Sequence, residues 1–420
     1  MRNALLFGLL VLLSQPAASY DAYLNPQGRL RVPAISVGGA AFGAELQLSN
    51  AQPLHFSLTG HHNLNSQTEP VTVYDAAAQQ IRLSKALYEG GYYDVLLQLD
   101  GSSPDIRFEL VSVTPAPYRV DRGGSMFVQA VSYGSDSYFF LNGEPRPVFP
   151  HYDGDAVYKE LVSRRSATAQ EVVQPYIVNE AETAGGAKAI LILISGGDYA
   201  TGLEGDPVTG KVRRSGGSTL TRCAHLFARL GFKAVTLQRP SDYANFLAAG
   251  ASLGNEAQQR MDYYRVSDQH RQDVQAVLAA ENQDELPVFI IGHSRGGVSA
   301  AALNDLARGV GLISPVTLGK AGNPVGQPYS SGRVQAAALN RPALITYHSR
   351  DACGSTAPAG SMDLYDAYIS LGKDATLIGF EGGFLFSDVV CQSRHYHGYV
   401  GIETTLAAHI GAWIDSVLAD

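Results

Sequence analysis

Gly292-His293-Ser294-Arg295-Gly296 is a stretch whose residue types and spacing could do covalent chemistry. The apolar run Val288-Phe289-Ile290-Ile291 precedes it, and the small residues Gly297, Val298, Ser299, Ala300, Ala301 and Ala302 follow. A Ser between two glycines on a tight turn from strand to helix is a nucleophile elbow. Side chains at the Gly positions would collide, and the strain leaves the hydroxyl exposed above the sheet. The start of the helix adds partial positive charge where an oxyanion would develop. The chemistry this predicts is acyl transfer, with Ser294 as the nucleophile.

A hydroxyl is a poor nucleophile near neutral pH, so a base is needed, and imidazole, with a free pKa of about 6.5, suits the task. The expected chain order is Ser, then acid, then His, each on a loop at the carboxyl end of a strand. His397, in His395-Tyr396-His397-Gly398-Tyr399, precedes the last helical pattern and stands beside a Gly that lets the chain turn; it is the candidate base, with His395 as its rival. Asp351 follows the apolar run Ala343 to Tyr347 and is the candidate acid, able to hold the imidazole tautomer and stabilise the imidazolium; Asp242 is its rival. An oxyanion hole needs two backbone N–H groups. Arg295, next to the nucleophile, would give one, and Gly197, in Ser195-Gly196-Gly197-Asp198 after the run 190–194, the other.

The chain has 3 Cys, too few for a disulfide scaffold. Cys353 follows Asp351 by two residues and Cys391 precedes His397 by six, so a Cys353 to Cys391 bridge would join the acid and base loops. On the chain-entropy estimate it would stabilise the fold by about 4 kcal/mol. Cys223 would stay a buried thiol.

These residues need a sheet to present them. Beyond about Gln170, apolar runs alternate with helical patterns, the form of a parallel sheet flanked by helices. Expected strands are Val173 to Val178, Ala189 to Ile194, Lys233 to Leu237, Val288 to Ile291, Leu312 to Leu318, Ala343 to Tyr347 and Ala375 to Phe380. Expected helices are Thr219 to Leu230, Ser267 to Ala280, Gly297 to Ala307, Met362 to Leu371 and Ile402 to Leu418. The segment Leu203 to Gly217, rich in Gly, Arg and Lys, reads as a lid or a long loop.

The region before Pro115 has a different rhythm, with short alternating runs punctuated by Gly, Pro and Asn. It resembles itself at an offset of 51: Leu30-Arg31-Val32 recurs as Ile81-Arg82-Leu83, Phe42 as Tyr93, and Leu46-Gln47-Leu48 as Leu97-Gln98-Leu99. Phe56-Ser57-Leu58 matches Phe108-Glu109-Leu110 after a one-residue slip. Residues 20–115 are therefore expected to be a duplicated all-β domain, and 118–420 an α/β catalytic domain whose start falls between 118 and 170.

Arg2, the apolar run Ala4 to Leu13 and the small residues Ala17-Ala18-Ser19 read as a secretory leader, so 1–19 are set apart from the fold and export to the periplasm or beyond is expected. The apolar run is about half the roughly 20 residues a membrane-spanning helix needs. Charged residues are 17% and hydrophobic ones 45% of the 420, which excludes a charged disordered chain. The net charge of -8, without basic runs interleaved with aromatics, argues against a nucleic-acid partner.

Gly197, Ser294, Asp351, Cys391 and His397, in that order, give residues from about 188 onward a resemblance to the α/β-hydrolase superfamily, and within it to exported bacterial hydrolases with a G-x-S-R-G elbow. The resemblance implies a serine hydrolase, esterase-like and with a peptidase activity as the other option, that uses neither metal nor cofactor. It leaves a small-molecule or polymeric ester or acyl substrate open. A non-catalytic surface protein is the alternative, with the N-terminal domain binding a glycan or polymer through Tyr88, Tyr92 and Tyr93.

Overall fold

A computed structural model describes residues 22–24, 28–49, 53–63, 72–88, 91–115, 120, 122–129, 138–141, 144–147, 151–153, 156–165, 171–183, 185–197, 199, 201, 203–214, 217–243, 263–317, 334–383, 385 and 387–420. The expected leader, 1–19, lies outside them, as do the side chains of Tyr88 and Tyr92. The chain divides into two compact units, Met1–Ala116 and Pro117–Asp420.

The first unit is all β. Its strands are β1 (Ala22–Leu24), β2 (Arg29–Val37), β3 (Ala40–Ser49), β4 (His55–Asn63), β5 (Thr72–Asp75), β6 (Gln80–Tyr88), β7 (Gly91–Leu99) and β8 (Arg107–Pro115). They run in the order β1-β2-β3-β4-β8-β7-β6-β5, and the parallel pairs β1–β6 and β2–β5 close the sheet into a barrel-like form. The register repeats at the sequence offset. Leu30 pairs with Leu46 and Ile81 with Leu97, and the ladder slips between Val32 and Ile35 in one half and between Leu83 and Ala86 in the other. A second slip falls between Glu45 and Leu46 and again between Leu96 and Leu97. Phe56 faces Phe108 in the β4–β8 pair.

Strand alternation turns Leu30, Val32, Leu46 and Phe56 inward with their counterparts Ile81, Leu83, Leu97 and Phe108, while Arg31 and Arg82 face out and pair with Glu45 and Asp94. An apolar cavity of about 380 Å³ remains among Ile35, Phe42, Leu46, Leu58, Ile81 and Phe108. Gly38 and Gly39, both at positive φ, make the two-residue turn between β2 and β3.

The second unit is α/β. After β9 (Ser125–Gln129) come a hairpin of β10 (Tyr138–Leu141) and β11 (Glu144–Pro147), then β12 (His151–Asp153), β13 (Ala156–Arg164), β14 (Glu171–Asn179) and β15 (Ile190–Ile194). Next follow β16 (Leu203–Gly205), β17 (Val212–Arg214), α1 (Thr219–Arg229), β18 (Lys233–Leu237), α2 (Asp268–Glu281), β19 (Val288–His293), α3 (Gly296–Ala302), β20 (Gly309–Ile313), β21 (Ala343–His348), α4 (Pro358–Ser370), β22 (Ala375–Glu381) and α5 (Glu403–Leu418). The main sheet has the order β13-β14-β18-β15-β19-β20-β21-β22-β9. It is parallel from β18 to β9, with an antiparallel edge at β13 and β14.

Each buried strand feeds both faces. Ile190, Ile192 and Ile194 join a core with α2, α3 and α4, and Leu191 and Leu193 join one with α1 and α5, where Phe227, Ile410 and Trp413 pack. Ser218 and Ser267 cap α1 and α2, their hydroxyls accepting from Thr221 N–H and His270 N–H.

Three sequence expectations change. The strand expected over Leu312 to Leu318 is Gly309–Ile313. Its two glycines, which argue against a strand locally, make room for neighbours, since a Cβ at Gly311 would lie 2.7 Å from Ile291 and one at Gly309 2.9 Å from Trp413. The helix expected over Gly297 to Ala307 ends at Ala302 and continues as a 3₁₀ turn, Asn304–Leu306. Leu203 to Gly217 holds the β16–β17 hairpin, which pairs with β12. The segment of unassigned ownership, 118–162, supplies β9 and β13 to the two edges of the main sheet.

Candidate active site

The chain leaves β19 at His293 and enters α3 at Gly296, with Ser294 between them at φ 56°, a left-handed conformation that an L-residue holds only under constraint. Ser294 N–H donates to Ile313 O at 2.8 Å, and Ser294 O accepts from Gly297 N–H at 3.0 Å. Both flanking glycines are required sterically. A Cβ on Gly292 would sit 2.1 Å from Gly296 O, and one on Gly296 2.0 Å from Ile194 O. Ser294 is buried, with 9% of the residue exposed, at the carboxyl edge of the parallel strands.

His397 lies in the 3₁₀ turn Tyr396–Gly398 and is buried. Its Nδ1–H donates to Asp351 Oδ2 at 2.8 Å, which leaves Nε2 to act as the acceptor. Asp351 stands three residues past β21. Its Oδ1 accepts from Cys353 N–H at 2.9 Å, and its Oδ2 also accepts the Thr356 hydroxyl at 2.9 Å. Thr356 Oγ1 is itself 3.1 Å from His397 Nδ1, so acid, imidazole and hydroxyl form a closed triangle with no polar atom left over at Nδ1. Among the described residues Ser294 Oγ makes no hydrogen bond to His397. His293, the residue before Ser294, stands against His397: its ring centroid is 4.7 Å from that of His397 and its Nε2–H donates to His397 O at 2.9 Å. Burial, and then the neighbouring His397, push the His293 imidazole well below its ordinary range, which keeps it a neutral donor. A serine–imidazole contact commonly shortens only as substrate enters.

The rivals are elsewhere. Asp242 pairs with Arg165, and among the described residues the buried Nδ1 of His395 has no hydrogen-bond partner. A disulfide joins Cys353 to Cys391 and so ties the Asp351 loop to the segment before His397, while Cys223 is a buried thiol on α1. Gly197 is at φ 52° in a turn closed by Tyr199 N–H donating to Gly196 O at 3.1 Å. The same peptide plane carries Gly197 N–H. Gly196 lies against Ser294, where a Cβ would be 2.8 Å from Ser294 Cβ. Arg295 follows Ser294 directly at the start of α3.

Sequence reasoning missed Thr356, His293 and a buried ion pair. Arg222 Nε donates to Glu403 Oε1 at 2.7 Å, Nη2 to Gly398 O at 2.5 Å and Nη1 to Gly217 O at 2.7 Å, and Glu403 Oε2 accepts Gly401 N–H at 2.8 Å. The pair clamps the turn that carries His397 from α1 and α5. His293 was inside the motif, but nothing in its spacing distinguished it. Thr356 and Arg222 act across 41 and 176 residues and leave no local signal. Among the described residues no group of three His, Cys, Asp or Glu could hold a metal ion, and no helix is long and apolar enough to cross a membrane.

No protein-family profile and no curated protein matches the sequence. Among solved structures the chain is similar to an acylaminoacyl peptidase from Pyrococcus horikoshii, at 13% identity and a TM-score of 0.41, over 92% of this chain and 58% of the peptidase. It is also similar to a dienelactone hydrolase from Anabaena variabilis, at 12% identity and a TM-score of 0.38, over 62% of this chain and 98% of that one. The Pyrococcus furiosus esterase Pf2001 is matched at 12% identity and a TM-score of 0.38, over 62% and 93%. The chain thus spans little more than half the length of the peptidase.

Proposed function

We propose that the second unit is an α/β-hydrolase and the protein an exported serine hydrolase that cleaves a carboxylic ester or related acyl bond. The observation that carries this reading is the closed triangle of Asp351, Thr356 and His397 beside a Ser held at positive φ between obligatory glycines. Ser294 Oγ attacks the substrate carbonyl carbon and its proton passes to His397 Nε2. Asp351 stabilises the imidazolium, and the amides of Gly197 and Arg295 hold the oxyanion. The intermediate collapses with transfer of the proton to the leaving group, giving an acyl-enzyme on Ser294. Water, deprotonated by His397, releases the acid. No step calls on a metal or cofactor.

The disulfide supports export, because such bonds persist in oxidising compartments. The complete triad supports catalysis over a scaffold role. Among the described residues of the N-terminal unit, the cavity is mostly apolar, with His61 and Tyr74 in its lining, and Tyr93 is half-buried. An alkyl phosphonate probe tests the reading. Labelling maps to Ser294 and vanishes in Ser294→Ala, and a folded wild type that takes no label overturns it. A chromogenic ester panel of graded acyl length, set beside an amide of the same acyl group, then separates esterase from peptidase.

A further inference from the structure

Behind the Ser195-Gly196-Gly197 loop lies a guanidinium that the triad does not use. Arg265 is fully buried and, among the described residues, pairs with no carboxylate. Its Nη2 donates to two backbone carbonyls of the loop, Ser195 O at 3.0 Å and Gly197 O at 2.9 Å, and its Nη1 donates to Ser299 Oγ on α3 at 3.2 Å. The guanidinium carbon stands 4.0 Å from the centroid of the Tyr199 ring. Tyr199, itself at φ 64°, places its hydroxyl 3.2 Å from the same Ser299 Oγ and 3.1 Å from His270 Nε2.

Burying a cation is costly, and among the described residues carbonyl dipoles and a ring face are what offset it. The geometry of those dipoles matters. A peptide plane has its C=O and the next N–H pointing in opposite directions. Arg265 fixes the planes through Ser195 O and Gly197 O, and the Tyr199 N–H to Gly196 O bond fixes the plane between them. Three successive carbonyls are thus hydrogen-bonded, so the peptide planes that carry the Gly196 and Gly197 amides are held in place. Through Ser299 the same side chain joins this loop to α3, the helix that follows Arg295, whose amide is the other one proposed for the oxyanion hole.

We propose that Arg265 is a positioning residue for the oxyanion hole: its fork locks the Ser195–Gly197 loop to α3 at one spacing, and its buried charge adds to the field felt by the developing oxyanion. The inference rests on the serine-hydrolase reading. Only a planar fork can serve two carbonyls from one nitrogen and a hydroxyl from the next, so Lys can keep the charge but not the lock.

The test uses the full chain, with active sites counted by the phosphonate probe and kcat expressed per labelled site. Arg265→Met lowers kcat about 100-fold with KM within a few-fold, the scale of a lost oxyanion donor, and weakens an aryl boronic acid, which mimics the tetrahedral state on Ser294, by a similar factor. Arg265→Lys falls between, about ten-fold down. A purely structural role would instead reduce the fraction of labelled sites and leave kcat per site and boronate affinity at wild-type values, and that result overturns the proposal. If Arg265→Met does not fold, wild-type kcat per site in Arg265→Lys overturns it equally. Failure of the hydrolase reading is distinct, because there the wild type itself takes no label.

Discussion

The two units put their irregular backbone in different places. In the barrel-like unit the only non-glycine residue at positive φ among those described is Gln79, in a surface turn, and the buried side chains are nearly all apolar. Of the five described in the α/β unit, Glu285 is in the turn before β19, while Tyr199, Ser294, Ser314 and Tyr399 are each at or beside the carboxyl edge of the parallel strands or the turn holding His397. Buried polar side chains gather there too: Ser195, His293, Asp351, Thr356 and His397. Strain and burial of polar groups are tolerated where the surrounding packing over-determines them. The barrel's repeated ladder has no such feature; its regularity serves packing, while the irregularity of the other unit marks its chemistry.

If that contrast is right, the largest effect belongs to Ser294. Ser294→Ala lowers kcat by about 10⁶-fold and leaves the unfolding of both units unchanged, as calorimetry would show. Asp351→Asn comes next, at about 10⁴-fold in kcat, because the amide reverses the tautomer of His397. Thr356→Val should lose less than either, since it opens the triangle and leaves the acid–imidazole bond in place.

The barrel should respond in stability alone. Phe56→Ala and Phe108→Ala each cost about 3–5 kcal/mol by denaturant unfolding, and, being symmetry counterparts, cost the same, with kcat unchanged. Unequal costs would break the comparison from the barrel side. Reduction of the Cys353–Cys391 bond removes about 4 kcal/mol from the α/β unit, and the barrel, which has no Cys, keeps its transition.

The smallest effect is acid lability. Burial holds His348 and His409 down to about 4 and pushes His293 and His270 well below the ordinary imidazole range. Between about pH 6.5 and 4 the unfolded chain binds protons that the folded unit refuses, so the stability these groups give is whole above 6.5 and is lost as pH falls toward 4. His348 and His409 each contribute on the order of 2–3 kcal/mol. His409→Gln should flatten the fall in Tm measured over that range.

What the sequence made legible was what local chemistry dictates. The elbow could be read because Gly292 answers a clash within five residues, against Gly296, and the order of the proposed triad because each member follows an apolar strand in the sequence. The 51-residue offset reappears as paired ladder slips, since a slip is set by the residues on its own strands. Less could be read where a residue's partner is distant. The glycines of β20 look like strand breakers until Ile291 and Trp413 are beside them. Arg222, Thr356 and Arg265 look like any polar residue until the carbonyls and carboxylate they serve arrive from other elements.

The edge strand β9 has a consequence for the order in which the chain can be completed. It pairs in parallel with β22, and Arg122 just before it pairs with Asp374, 252 residues later. A chain emerging from its N-terminus at about 5–20 residues per second would have the whole barrel available within seconds. The first strand of the α/β unit would wait until its last one had appeared. During that interval β9 is an unpaired edge, open to other strands. A barrel whose strands are all at hand early and a sheet whose edge pair is complete only at the end thus leave the second part of the chain open to misassembly for longer.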